Sequence, residues 1–85
     1  MNIGVYPGSF DPFSIGHHDV LMHAIPLFDT VYVSVLNNAT KHPLFSVQER
    51  VDLIERMVRL EGLDNVIVDS FNGLLVDYAR SIHAD

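Results

Sequence analysis

The sequence contains no cysteine and no tryptophan, and only five of its 85 residues are lysine or arginine. Without cysteine there is no disulfide framework, no thiolate nucleophile and no cysteine metal site, which agrees with a reducing compartment. Eleven acidic residues outweigh the basic ones and give a net charge of −6. That balance argues against a nucleic-acid partner, because binding a phosphate backbone requires clustered Lys and Arg. A small anionic ligand remains allowed, since one helix end and one or two cations can hold it.

Long hydrophobic runs are also lacking. No stretch approaches the roughly 18 uninterrupted apolar residues of a membrane span, and the start, Met1-Asn2-Ile3-Gly4, has neither the basic nor the apolar region of a signal peptide. We therefore expect a cytoplasmic protein without a membrane partner. Its composition, 48% hydrophobic and 19% charged, is typical of a globular protein. The length favours one small domain over residues 1–85.

Three short runs of apolar, β-branched and aromatic residues predict strands. They are Asn2–Tyr6, Thr30–Leu36 and Asn65–Val68. Their near-continuous apolarity favours a parallel sheet that is covered on both faces over a half-exposed antiparallel sheet.

A helical pattern follows each of these runs. The first should begin at or near Ser14, and its spacing predicts one apolar face. The residues of that face are Val20, Leu21, Ala24, Ile25, Leu27 and Phe28. The second helix is predicted at about 47 to 60, because Ser46 and Glu49 match a capping box and Gly62 ends the pattern. Its apolar face is formed by Val47, Val51, Leu53, Ile54, Met57, Val58 and Leu60. A third helix is predicted from Gly73 to Ser81.

The order β-α-β-α-β-α, with right-handed crossovers, predicts an α/β fold: a Rossmann-like half with a parallel sheet. Open sheets of this kind bind ligands outside the carboxyl ends of their strands. The predicted ligand-binding loops are therefore Pro7–Ser14, Asn37–Pro43 and Ser70–Gly73.

The first of these loops carries the motif with the clearest chemistry. Residues 6–19 read Tyr-Pro-Gly-Ser-Phe-Asp-Pro-Phe-Ser-Ile-Gly-His-His-Asp. A helix that begins here would offer unpaired amides and the positive end of its dipole to phosphate oxygens, and His17 could donate to a phosphoryl oxygen. The alternative is that Gly8, Pro12 and Gly16 only shape a tight turn and that His17 is an ordinary exposed helix residue.

A resemblance favours the functional alternative. Gly-Ser-Phe-Asp-Pro followed by Ser14-Ile15-Gly16-His17 resembles the signature of the nucleotidyltransferase superfamily that carries a (His/Thr)-x-Gly-His motif. The segment from Lys41 to Arg50, Lys-His-Pro-Leu-Phe-Ser-Val-Gln-Glu-Arg, resembles the Lys-x-Pro-x-Phe-(Thr/Ser)-x-x-Glu-Arg segment of phosphopantetheine adenylyltransferases. The chain thus resembles the amino-terminal half of the bacterial members of that family. Nicotinate mononucleotide adenylyltransferases usually have His where Ser14 stands, and cytidylyltransferases usually have a His-bearing loop in place of Pro12–Ser14.

The resemblance implies roles for seven residues. His17 and Lys41 would be catalytic, stabilising the pentacoordinate α-phosphorus and binding the phosphates. The implied ATP-binding residues are Ser9, Phe10, Gly16 and His17. The implied residues for the second substrate are Ser9, Lys41, Leu74 and Leu75.

The implied reaction transfers the adenylyl group of ATP to 4'-phosphopantetheine, giving dephospho-CoA and pyrophosphate. Direct attack on the α-phosphorus needs positioning and charge neutralisation more than covalent help. Magnesium on the ATP phosphates is the implied cofactor, with no protein metal ligands expected. A homo-oligomer, commonly a hexamer in the family, is implied as well.

Other polar residues are expected to be structural. Asp11 should bond nearby amides of its turn, Asp19 should lie in the first turn of its helix, and Glu49 should cap the second helix. Arg50 should form an ion pair or an interface contact. His18 is left without an assigned role.

Two other classes of function stay open. One is a different adenylyltransferase or cytidylyltransferase, and the other is a non-catalytic fragment that self-associates. Family chains are longer, and their Arg-Gly-(Leu/Val)-Arg, adenine-binding and Ile-Ser-Ser-(Thr/Ser) segments have no counterpart in these 85 residues. We therefore expect the domain to be truncated relative to the family. On its own it should present an unpaired strand edge, associate, and lack turnover.

Overall fold

Three parallel strands form the sheet in a computed structural model that describes residues 2–37, 45–71 and 79–82. The strands are β1 (Ile3–Gly8), β2 (Thr30–Leu36) and β3 (Val66–Phe71), and β2 lies between the other two. Both pairings are parallel, with Gly4 opposite Val31 and Val31 opposite Val66. The predicted parallel α/β architecture is therefore confirmed.

One face of the sheet carries the core of the described chain. Val31, Val33 and Val35 alternate along β2 and are at most 1% exposed, so they point to the same face. Leu21 of helix α1 (Ile15–Ala24) and Ile54 of helix α2 (Val47–Leu60) belong to the same buried cluster. Both helices thus cover this face, as two successive right-handed crossovers in the order β1-β2-β3 require.

The strands at the two edges of the described sheet are displaced towards the carboxyl end relative to the sequence prediction. β1 runs to Gly8 rather than Tyr6, with Pro7 opposite Ser34 and Gly8 opposite Val35. β3 runs to Phe71 rather than Val68, so Ser70 lies in a strand and not in a turn. The prediction ended both strands too early, because Pro7-Gly8 and Asp69-Ser70 are typical of turns. Pairing with β2 keeps these residues in the strands.

The predicted apolar face of the first helix is wrong in part. The helix ends at Ala24, and a 3-10 helix (Ile25–Leu27) follows, with Pro26 near its start. Val20 and Leu27 are 53% and 69% exposed, whereas Leu21 is fully buried. A continuous helical period does not hold across this break, which places Leu27 outside the core.

The second helix begins and ends where its capping residues predict. Ser46 accepts a hydrogen bond from the Glu49 amide, and Glu49 accepts one from the Ser46 amide, so the capping box is complete. Gly62 follows the helix with a φ of 65°, a conformation that favours glycine. Leu53 and Leu60 were predicted on its buried face, yet they are 47% and 81% exposed.

The predicted third helix is only partly covered by the structure. Residues 79–81 are helical, and the rest of that prediction lies outside the described residues. Within the described ranges, no helix is both long and apolar enough to cross a membrane.

Candidate active site at the start of helix α1

The predicted ATP-binding residues gather where β1 ends and α1 begins. Ser9 directly follows β1, Phe10 follows Ser9, and Gly16 and His17 lie in the first turn of α1. This is the carboxyl edge of a parallel sheet, where ligands bind in such folds. Three other predicted site residues, Lys41, Leu74 and Leu75, lie outside the described residues.

His17 takes part in the cap of its own helix. Ser14 is the N-cap, and its hydroxyl accepts a hydrogen bond from the His17 amide at 3.3 Å. In return, the Ser14 amide donates to Nδ1 of His17 at 2.9 Å, and the Ser14 hydroxyl oxygen lies 3.0 Å from the same nitrogen. Such a box normally has Glu or Gln at the third helical position. Here an imidazole takes that place.

These contacts determine which ring nitrogen of His17 carries the proton. A backbone N–H can only donate, so Nδ1 is the acceptor in this contact. The neutral ring then has its proton on Nε2. His17 thus offers Nε2–H as a donor, and its ring is held at the amino end of α1 by both groups of Ser14.

Three aromatic rings surround the His17 imidazole. Phe10 meets it edge-on at 5.1 Å between centroids, and Phe13 and Tyr6 lie at 5.5 and 6.4 Å. Burial raises the pKa of Tyr6 above its ordinary value of 10.0, so the phenol is neutral near pH 7. The rings confine the imidazole sterically and bring no charge to it.

Ser9 and Phe10 differ in what they can offer a ligand. Ser9 is exposed at the end of β1, so its hydroxyl is open to solvent. Phe10 is 3% exposed and packs in the core cluster, with its ring over Gly8. Its backbone φ is 49°, which is uncommon for a non-glycine residue. The Phe10 side chain exposes too little surface to contact ATP and instead packs against the His17 ring.

The first turn of α1 favours an anionic ligand by its composition. No acidic residue lies in its first turn; the prediction that Asp19 lies there is wrong, because the helix begins at Ile15. The amides of His17 and His18 bond to Ser14, whereas those of Ile15 and Gly16 have no partner among the described residues, as is usual at a helix start. Together with the helix dipole, they favour an anionic ligand here.

No close contact within the described fold requires a glycine at the position of Gly16. A Cβ at this position would meet only the Ser14 hydroxyl oxygen, at 3.7 Å, which is ordinary contact. Gly4 differs, since a Cβ there would lie 2.8 Å from the Phe28 ring. The space above Gly16 is open, as close approach of a ligand to the helix start would require.

Two long-range contacts hold the loop between β1 and α1 against the start of α2. Asp11 accepts a hydrogen bond from the Phe45 amide at 2.9 Å, although we expected bonds to amides of its own turn. Arg50 is 5% exposed and donates to the Ser9 carbonyl at 2.6 Å. It forms no salt bridge within the described residues, so the ion pair that was one of its two predicted roles is not found there, and the predicted interface contact stays a prediction. The contact partners lie 34 and 41 residues apart, so no local sequence signal could reveal them.

His18 contacts a residue at the far end of α2. Its Nε2 lies 2.8 and 2.9 Å from the two carboxylate oxygens of Glu61, and both side chains are about one-third exposed. The pair joins the two helices on the covered face of the sheet. This gives His18 a structural contact and leaves His17 as the histidine beside the helix start.

Apart from the start of α1, the described residues include an open cavity but no cluster of metal-ligating side chains. An open cavity of about 380 Å³ lies between α2 and β3, lined by Glu55, Val58, Arg59, Val66, Ile67 and Val68. It contains none of the predicted site residues. No group of three or more His, Asp or Glu side chains in the described ranges could hold a metal ion.

The site therefore combines the free amides of the described helix start, the Nε2–H donor of His17 and the exposed Ser9, a set of groups suited to phosphoryl oxygens. A family model described as cytidylyltransferase-like matches residues 5–85. The chain belongs to the cytidylyltransferase-like family. The fold and the motifs of the first loop agree with this assignment.

Particular relatives narrow the comparison. The phosphopantetheine adenylyltransferase of Alkaliphilus metalliredigens is 49% identical over 80 residues, which are 94% of this chain and 50% of the relative. The enzyme of the same name from Clostridium novyi is 52% identical over 80 residues, 94% of this chain and 48% of the relative. The chain thus spans about half the length of these curated relatives. They confirm the predicted resemblance to that family.

A solved structure has the same fold. It is described as a bifunctional NMN adenylyltransferase/ADP ribose pyrophosphatase from Francisella tularensis, complexed with AMP and a manganese ion. The TM-score is 0.70 at 24% identity, over 95% of this chain and 25% of that one. At this identity the comparison supports the fold alone.

Proposed function

We propose that this chain supplies the phosphate-binding part of a phosphopantetheine adenylyltransferase, which transfers the adenylyl group of ATP to 4'-phosphopantetheine. The observation that carries the proposal is the Ser14–His17 arrangement. Nδ1 of His17 is used by the helix cap, which leaves Nε2–H as the ring donor in the first turn of α1. The relatives that share the surrounding motifs bear the name of that enzyme.

The described residues would act by positioning and by stabilising charge. An oxygen of the 4'-phosphopantetheine phosphate attacks the α-phosphorus of ATP, the bond from that phosphorus to the β-phosphate oxygen breaks, and pyrophosphate leaves. Nε2–H of His17 donates to the α-phosphoryl oxygens as negative charge develops on them. The amides of Ile15 and Gly16 take further phosphate oxygens at the helix start. Ser9 holds the phosphate of the attacking substrate, in the role that the resemblance implies.

Three further parts of the proposal rest on the resemblance. Lys41 would bind phosphates from the loop after β2, and Leu74 and Leu75 would contact the pantetheine arm. Magnesium would enter bound to the ATP phosphates, as part of that substrate. Assembly into a homo-oligomer and a cytoplasmic location belong to the same proposal.

The decisive experiment measures pyrophosphate release from MgATP with 4'-phosphopantetheine, nicotinamide mononucleotide or no acceptor. Because the relatives are longer, the chain is assayed alone and mixed with the half of the Clostridium novyi relative that it does not cover. We expect release that depends on 4'-phosphopantetheine in the mixture and none from the chain alone. Release with the other nucleotide would replace the proposed substrate, and oligomers that bind no nucleotide would point to a non-catalytic scaffold.

His17→Gln is the matched variant for this assay. Glutamine at the third helical position still completes a capping box, so α1 should form normally. The variant lacks the imidazole donor, and turnover should fall roughly 10²–10³-fold. Unchanged turnover with unchanged helix content, measured by circular dichroism, would remove His17 from the reaction.

A further inference from the structure

Arg50 is a buried cation whose hydrogen bonds within the described residues go to backbone carbonyls. Its exposed fraction is 5%. Nη1 donates to the Ser9 carbonyl at 2.6 Å and reaches the Leu36 carbonyl at 3.4 Å, while Nε donates to the Ser46 carbonyl at 3.3 Å. One side chain therefore joins the residue after β1, the last residue of β2 and the N-cap of α2.

The charge of Arg50 is not balanced by a carboxylate in the described part of the chain, where the salt bridge found joins His18 and Glu61. A buried charge is normally paired, because removing it from water is costly. Carbonyl dipoles compensate only part of a full positive charge. The remainder makes the electrostatic potential more positive at the carboxyl ends of β1 and β2, which favours an anion bound there.

Ser9 is the residue that this contact positions most directly. The bond to its carbonyl is the shortest of the three. Ser9 begins the loop that continues through buried Phe10 and through Asp11, which is itself bonded to Phe45. Removing the guanidinium would leave the Ser9 and Leu36 carbonyls without this partner and would release the loop on one side.

We propose that Arg50 is a positioning residue of the site. It holds Ser9 in place through the Ser9 carbonyl and adds positive charge near the bound phosphates. The inference rests on the proposed function, in which Ser9 holds a substrate phosphate. Arg50 itself does not touch the ligand, since it lies beneath the loop with little exposed surface. Its effect on the reaction is transmitted through the Ser9 backbone and through the local charge.

The test compares Arg50→Met and Arg50→Lys with the unmodified chain, and uses Arg59→Met as the matched control. Arg59 is exposed on the last turn of the same helix, so its replacement removes the same charge without touching the loop. Inorganic pyrophosphate binding is measured by calorimetry, under conditions in which circular dichroism shows every variant to be folded. The Ser9 and Phe10 amide resonances are followed by NMR in the same samples.

We expect Arg50→Met to weaken pyrophosphate binding at least about tenfold, in line with the loss of hydrogen bonds to a charged group. Arg50→Lys keeps the positive charge but lacks the planar guanidinium with its several donors. It should therefore shift the Ser9 amide resonance while retaining part of the pyrophosphate binding. Arg59→Met should match the unmodified chain. If Arg50→Met does not fold, Arg50→Lys decides by the same two measurements.

Normal pyrophosphate binding and unmoved Ser9 resonances in folded Arg50 variants would overturn the inference and leave the residue a purely structural one. The proposed function fails separately, if the unmodified chain binds no pyrophosphate and gives no acceptor-dependent release in the mixture. In that event the Ser9 resonances still test the contact, because they report on the loop whether or not a ligand binds.

Discussion

His17 is both a capping residue and the candidate donor of the site. The helix cap uses Nδ1, so the ring is oriented and its proton placed on Nε2 by contacts that exist before any ligand binds. Glu49 takes the same position in the cap of α2 and brings a negative charge. An imidazole at the start of α1 completes the cap without that charge, and the helix end remains favourable to anions.

Gly16 allows the fold to be separated from ligand binding at this helix start. Gly16→Ala should leave the free energy of unfolding unchanged or raise it by up to about 1 kcal/mol, because alanine favours the helix and its Cβ meets no close contact. The methyl group should weaken pyrophosphate binding by occupying the space beside the amides. Chemical denaturation and calorimetry measure the two effects. Gly4→Ala is the contrast, expected to lose stability against the Phe28 ring; equal binding by Gly16→Ala and the unmodified chain would contradict the proposed site.

Helices α1 and α2 begin in the same way. Ser14 and Ser46 each complete a capping box, which fixes where α1 and α2 begin.

Hydrogen bonding lowers the pKa of Glu49 below its ordinary value of 4.5, and the Ser46 amide contributes more than the Ser46 hydroxyl. A carboxyl whose pKa is lowered in the folded state stabilises that state above its unfolded pKa, and this contribution is lost as the pH falls through the folded value.

Glu49→Gln should therefore change how stability depends on pH. Glutamine keeps the capping hydrogen bonds but does not titrate in this range, so the stability advantage of the unmodified chain should shrink as the pH falls from about 6 to about 3. Urea unfolding at several pH values measures the difference. Glu55→Gln, the same change in the same helix but outside the box, corrects for net charge. Parallel pH curves for Glu49→Gln and the unmodified chain would show that the cap contributes no pH-dependent stability.

At the scale of the whole molecule, the hydrophobic core of the described residues is built mainly on one face of a three-stranded sheet. Few of the described side chains are fully enclosed, with Leu21 and Ile54 contributed by the helices. Large apolar side chains remain exposed elsewhere, among them Ile15 at 84% and Leu60 at 81%. A chain of this size buries about 60–65% of the surface that its unfolded form exposes. Its free energy of unfolding should therefore be low, about 5 kcal/mol.

Leu21→Ala should accordingly remove a large share of that stability. Truncating a fully buried leucine costs about 2–5 kcal/mol, so much of the variant should be unfolded at room temperature. Met22→Ala changes the neighbouring residue, which is 39% exposed, and should cost less than about 1 kcal/mol. Urea titrations followed by circular dichroism compare them. Similar losses in both variants would mean that this face of the sheet is not the core.

The sequence alone determined the parts of the molecule that depend on local patterns. β2 lies where a run of β-branched and aromatic residues predicted it, α2 lies where its capping residues and Gly62 predicted it, and the loop motifs indicated the family. These features follow from neighbouring residues, whose preferences add along the chain. The ends of β1 and β3 could not be predicted in this way, because pairing with β2 overrides the turn preference of their last residues.

Only the tertiary structure decided what lies around the site. It decided which side chains of α1 are exposed, and it brought Arg50 to the carbonyl of Ser9, 41 residues away in the chain. Asp11 gained a partner in Phe45, 34 residues away. Such contacts depend on how helices and strands pack in space, so the spacing of residues along one segment carries no information about them.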